Sequence, residues 1–180
     1  MSLYLTKVHL RSFRSFGDFQ LDLPDRPGAL IITGPNGLGK SSFFDAVEWG
    51  LTGVVKRLAQ HLRRNDTEAV YLTRDGAKPF SHAVTLAFGD GLVERTGNPS
   101  GPVGTPPGEV SALLVSPNWR EDVNDLSVYL ALTHFLGQGA DQRFMSREST
   151  EQWETLRGPS GVERLEKIWK RLGAVPQPLP

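Results

Sequence analysis

The sequence contains no cysteine, so it can hold neither a disulfide framework nor a thiolate metal site. No run approaches the ~18 apolar residues of a membrane-spanning helix. The amino-terminal stretch MSLYLTKVHLRSF alternates polar and apolar residues and lacks the apolar centre of a signal peptide. A cytoplasmic protein with no membrane partner is therefore expected. Charge of one sign is also lacking, because 20 Lys plus Arg balance 20 Asp plus Glu. A domain basic throughout for nucleic acid is excluded, whereas a local basic patch is not. The four histidines, His9, His61, His82 and His134, lack metal-ligand spacing. There is no internal repeat and no heptad run long enough for a coiled coil. What remains is a chain of 180 residues, one domain's worth and long enough to bury a core.

The pattern of apolar residues gives a coarse order of elements. Leu3, Leu5, Val8 and Leu10 suggest a strand to about residue 12, and Phe19, Leu21 and Leu23 alternate with Asp18, Gln20 and Asp22 as in a half-buried strand. After a turn at Pro24–Gly28, the run Ala29–Thr33 reads as a strand buried on both faces. A helix follows from about Gly39 to Leu51, with Phe43, Phe44, Val47 and Leu51 on one side and Thr52-Gly53 ending it. Residues 54–66 read as a short basic helix or a loop. Ala69–Leu72 and Ala83–Phe88 read as strands, the latter turning through Gly89-Asp90-Gly91 into Leu92-Val93. Asn98–Gly108 is a proline- and glycine-rich loop. Beyond it, Val110–Val115 suggests a strand, Asp122–Leu132 a helix and Thr133–Leu136 a short strand. Ser146–Leu156 and Val162–Leu172 suggest helices separated by Gly158–Gly161. The tail Pro176–Pro180 cannot continue a helix and is expected to be disordered.

One motif carries chemistry. Gly34-Pro35-Asn36-Gly37-Leu38-Gly39-Lys40-Ser41 matches G-x-x-x-x-G-K-[ST], and Ser42 follows it. Glycines let backbone N–H groups turn inward and approach phosphate oxygens. A helix starting near Gly39 points its positive end at the same anion. Lys40 would bring charge to the β- and γ-phosphates, and the Ser41 hydroxyl would ligate magnesium. The ligand expected is ATP with Mg2+. A guanine-specificity motif Asn-Lys-x-Asp is absent, as is a Leu-Ser-Gly-Gly signature. The nearest approach to a Walker B carboxylate, Leu86-Ala87-Phe88-Gly89-Asp90, runs into Gly91 and reads better as a hairpin. The chain therefore holds half of a nucleotide site.

Leu10-Arg11-Ser12-Phe13-Arg14-Ser15-Phe16, Gly34-Pro35-Asn36-Gly37, Asp45-Ala46-Val47-Glu48 and Leu51-Thr52-Gly53 together resemble the amino-terminal ATPase lobe of SMC-like proteins. That group includes SbcC-type repair ATPases, the RecF and RecN proteins and related bacterial defence ATPases. Ser12 stands where the family usually has asparagine, and Leu38 where it usually has serine. Neither side chain is needed by a site built on backbone groups. His134–Asp141 is similar to the family's Q-loop, a short strand ending in a glutamine that reaches the magnesium and the attacking water. The resemblance gives that role, and a second metal contact, to Gln138. It also places Arg14 near the nucleotide phosphates at the edge of the site.

The resemblance implies an α/β fold, a P-loop NTPase of the ABC ATPase head type, amino-terminal lobe, with an added antiparallel β layer from the first strands and residues 69–96. Residues 1–175 would form the lobe and 176–180 the tail. In the family a coiled coil and then a second lobe follow, the latter bringing Walker B and the signature. Partners implied are the chain's own C-terminal lobe or a second head in a homodimer, DNA, and an associated nuclease or effector. The activity implied is ATP hydrolysis driving head engagement in DNA repair, maintenance or anti-phage defence. The alternative from another class is a P-loop small-molecule kinase, with Arg143–Arg157 as its lid. Lys56, Arg57, Arg63 and Arg64 form the densest basic cluster, either a solvated helix face or a contact for a phosphate backbone. Asp45 and Glu48, one to two turns into the helix, read as structural or surface residues. Trp49, Trp119, Trp153 and Trp169 read as core or inter-lobe packing.

Overall fold

The structure is a computed structural model that describes residues 4–59, 68–89, 91–98, 104–105 and 107–115, and beyond these residues 126, 129–130, 134–135, 165 and 168–171. The chain divides into two compact units, Met1–Val115 and Ser116–Pro180.

The first unit is built on a four-stranded antiparallel sheet. Its strands are β1 (Leu5–Phe13), β2 (Phe16–Asp22), β3 (Ala83–Phe88) and β4 (Gly91–Thr96), in the order β2-β1-β3-β4. Register explains why these segments pair. Leu21, Val8, Leu86 and Val93 form one cross-strand row, and Phe19, Leu10 and Val84 begin a second. Period-2 alternation thus puts aliphatic groups on one face, where Val8, Leu10, Val84, Leu86 and Val93 are all buried. Phe13 breaks the alternation yet is buried too. Ser12, at φ 47, sits in the left-handed region and turns the strand so that Phe13 also points inward.

Helix α1 (Lys40–Thr52) covers this face, with Phe43, Ala46, Trp49 and Leu51 buried and Gly53 closing its carboxyl end by donating to the Trp49 carbonyl at 2.7 Å. Gly50 permits the close approach, since a Cβ there would lie 2.9 Å from both Leu86 Cδ1 and Val84 Cγ1. Short helices α2 (Lys56–Ala59) and α3 (Glu68–Leu72) follow, and α4 (Pro107–Leu114) comes after the hairpin. At one end of the core, buried His82 stacks edge-on to Phe13 and Trp49, and its Nδ1 meets Thr73 Oγ1 at 2.8 Å. Its Nε2 has no hydrogen-bond partner among the described residues, and burial holds its pKa down at about 4.

Several expected elements come out differently. Ala29–Thr33 is not a strand and no ladder bond is found for it among the described residues. Ile31 is 81% exposed. A strand buried on both faces needs a sheet to join and layers packed over each face, and the sheet of this unit is built elsewhere. Ala69–Leu72 belongs to a helix. Val70 and Tyr71 are exposed while Leu72 is buried, and among the described residues the segment pairs with no strand of the sheet. Val110–Val115 falls largely in α4, which proline opens at its first position and Glu109 supports in its first turn. Phe44 is exposed and is not part of the apolar side of α1. The hairpin at Gly89–Gly91 forms as expected, with Phe88 paired to Gly91.

In the second unit, residues 126, 129, 130, 165 and 168–171 are helical, within the helices expected there. The strand expected at Thr133–Leu136 does not form at His134 and Phe135, whose amides both donate to the Leu130 carbonyl at 2.8 Å. That bonding belongs to a helix end, and an extended chain cannot make it. Trp169 is 75% exposed, in contrast to the buried Trp49. The stretch Ser146–Leu156, Trp119 and Trp153 lie outside the described residues.

Candidate phosphate-binding site

The loop from Gly34 to Gly39 owes its shape to three glycines with positive φ, at 145° for Gly34, 87° for Gly37 and 91° for Gly39. Gly39 is the position that most requires glycine. It is the left-handed N-cap of α1, and a Cβ there would lie 3.0 Å from Ser15 Cβ and 3.4 Å from Phe16 Cζ. No side chain caps the helix, so the first amides of α1 remain available to an anion at its start. Lys40 folds back over the loop, its Nζ donating to the carbonyls of Gly34 at 2.6 Å and Pro35 at 2.7 Å. The ammonium therefore sits against the loop backbone.

The two serines differ. Ser42 is buried and its Oγ lies 3.2 Å from Ser15 Oγ, whereas Ser41 is exposed. Of the pair, Ser41 has the accessible hydroxyl, which fits a metal ligand. The donor set of an uncapped helix start, one ammonium and one open hydroxyl is suited to a polyphosphate carrying magnesium. Among the described residues no three His, Cys, Asp or Glu side chains gather into a group that could hold a metal ion.

The β1–β2 turn buttresses the loop. Phe13 pairs with Phe16 around a two-residue connection, Arg14-Ser15, and Arg14 has φ 48. Its strained backbone is pinned from outside: Arg14 N–H donates to Leu72 O at 2.8 Å, and Arg74 N–H to Ser12 O at 2.8 Å. The Arg14 side chain reaches Asp45 of α1 at 3.2 Å. Asp45 is buried and is gripped by Arg57, whose Nε donates to Oδ1 at 2.6 Å while its terminal nitrogen donates to Oδ2. Glu48 Oε1 accepts from Lys56 N–H at 3.1 Å. Both acids of α1 thus tie the following segment back onto the helix.

Of the site residues expected, Gly34 to Gly39 form the loop, Lys40 to Ser42 open α1 directly behind it, and Arg14 stands next to them through Ser15. Gln138 lies outside the described residues, as do Arg63 and Arg64. Arg57, half of the described part of the basic cluster, turns inward to a carboxylate. Ser15 and Arg57 were not legible as site neighbours, because twelve residues separate Arg57 from Asp45 and twenty-seven separate Ser15 from Ser42.

The family model described as AAA domain matches residues 7–154. A stretch of 86 residues is 29% identical to the retron Ec83 probable ATPase of Escherichia coli, covering 48% of this chain and 16% of that protein. A stretch of 92 residues is 33% identical to the chromosome partition protein Smc of Rhodopseudomonas palustris, covering 51% of this chain and 8% of that one. The chain thus spans a small part of the length of these curated relatives. A solved structure from work on ATP-driven dimerization and DNA-stimulated activation of SMC ATPases superposes with a TM-score of 0.58 at 20% identity, over 86% of this chain and 98% of that one. No helix among the described residues is long and apolar enough to cross a membrane. The chain belongs to the AAA domain family and has the α/β fold of P-loop NTPases, the fold of the SMC ATPase structure it superposes on.

Proposed function

We propose that the chain binds ATP with magnesium through Gly34–Ser42 and takes part in its hydrolysis as one lobe of an SMC-like head. The observation that carries this reading is the loop itself, in which positive-φ glycines, Lys40 Nζ and the uncapped start of α1 converge. Lys40 would exchange its carbonyl partners for β- and γ-phosphate oxygens, and Ser41 would hold magnesium, which supplies positive charge to the departing phosphate. Arg14 would face the phosphates from the β1–β2 turn. Gln138 would orient the metal and the attacking water.

The sequence shows no Walker B carboxylate and no signature segment. We assign these to the chain's own C-terminal lobe and to a second head in a homodimer. The exposed run Ala29–Thr33, which leads straight into the loop, supports a further layer of protein at this edge. DNA is the proposed substrate of the assembled heads, with an associated nuclease or effector. The likeness to Smc supports a DNA maintenance role and the likeness to the retron ATPase an anti-phage role. A phosphate-release assay tests the division of labour. The chain alone should show no turnover above background, because each missing electrostatic element commonly costs ~100- to 1000-fold. Adding the carboxyl-terminal lobe should restore it, and robust hydrolysis by the chain alone would overturn the proposal.

A further inference from the structure

The charges around Asp45 do not balance. Two guanidinium groups converge on one carboxylate whose side chain is 3% exposed. Arg57 takes both oxygens in a fork, the strong form of this pair. Arg14 reaches Oδ2 at 3.2 Å, and its Nη1 is buried without a hydrogen bond among the described residues. Burial pushes the Arg14 guanidinium below its ordinary range, with Asp45 opposing and Arg57 adding to the effect. For Arg57 the hydrogen bonds to Asp45 dominate and raise it. The carboxylate is thus taken up by Arg57, and Arg14 is left with an under-compensated positive charge.

Its position gives that charge a use. Asp45 lies four residues beyond Ser41, one turn along the same side of α1. Arg14 adjoins Ser15, whose side chain rests against Gly39 and Ser42 at the head of the loop.

We propose that Asp45 and Arg57 are positioning residues that set how much of the Arg14 charge is available to a polyphosphate in the loop. Arg57 occupies the carboxylate, and Arg14 is thereby left for the ligand. The proposal rests on the nucleotide reading of the loop. It makes a prediction that a purely structural ion pair does not. Removing Arg57 deletes no ligand contact, but it returns Asp45 to Arg14 as a one-to-one pair and withdraws the charge from the phosphates. Removing the carboxylate as well sets Arg14 free again.

The test is equilibrium titration of magnesium ATP, and separately of inorganic triphosphate, into the 180-residue chain and its R14A, R57Q and D45N/R57Q variants, with thermal melts of each. R14A and R57Q should each weaken both probes about tenfold, the equivalent of one charge-assisted contact. D45N/R57Q should recover to within about threefold of the wild type. Unchanged affinity in R57Q, or a double variant as weak as the single one, would overturn the proposal. Should R57Q fail to fold, R57K keeps a charge but loses the fork. A loss of about threefold that D45N reverses would support the proposal, and wild-type affinity would overturn it. A wild-type chain that binds neither probe would remove the nucleotide reading and this inference with it. Normal wild-type binding with the wrong variant pattern would remove this inference alone.

Discussion

Ala83–Phe88 and Ala29–Thr33 are both short apolar runs, and they end in opposite surroundings. In the first, Leu86 is 0% exposed and pairs with Val8 on one side and Val93 on the other. In the second, Ile31 is 81% exposed and the backbone joins no sheet among the described residues. Apolar composition sets the appetite for burial, but hydrogen-bonded neighbours decide whether a run becomes a strand. The first run belongs to the body that keeps the unit folded. The second leads into the phosphate loop, where backbone must stay open to a ligand.

The largest expected effect falls on the folded body. Leu86→Ala removes a fully buried side chain between two strands and under Gly50, and should cost about 3 kcal/mol. Urea unfolding of the variant would show it as a lower midpoint at unchanged slope. A loss below about 1 kcal/mol would mean that β3 is not the centre of the core.

Acid should act on the same body through His82. Its folded pKa of about 4 lies below the ordinary 6.5, so the ring is neutral in both states above pH 6.5. As pH falls through 6.5 the unfolded chain takes up a proton that the folded chain refuses until about 4. Stability is therefore full above 6.5, declines across that window and levels off below it, with about 2 kcal/mol of the loss reached by pH 4.5. Melts of the wild type and His82→Gln at pH 7 and pH 4.5 check this. The contribution should vanish in the variant, whereas an equal acid loss in both proteins would assign it to other groups.

The smallest effect sharpens the contrast. Ile31→Ser should change the stability of this chain by no more than about 0.5 kcal/mol, as for an ordinary surface site. A loss as large as that of Leu86→Ala would show that Ala29–Thr33 is buried in solution and would erase the distinction between the two runs.

These two runs also show what could be read in advance. The phosphate loop and its helix were legible because a glycine pattern, a lysine and a following apolar periodicity are local features. The hairpin of β3 and β4 was legible for the same reason, through Gly89 and Gly91. Ala29–Thr33, Ala69–Leu72 and Val110–Val115 were misread because short apolar runs do not say which partner will meet them. The turn carrying Arg14 depends on left-handed Ser12, on the distant Leu72 carbonyl and on the Arg74 amide. No local signal announces either, nor the grip of Arg57 on Asp45.

The central claim is that the open loop is the ligand site while the sheet supplies the stability. A thermal melt of wild type and Lys40→Ala, each with and without magnesium ATP, tests it directly. Without nucleotide the two should melt together, since among the described residues Lys40 bonds only to loop carbonyls. With ATP at about 100 times its dissociation constant the wild type should gain about 2.7 kcal/mol, and the variant should gain almost nothing. Equal stabilisation of both proteins by ATP would contradict the account.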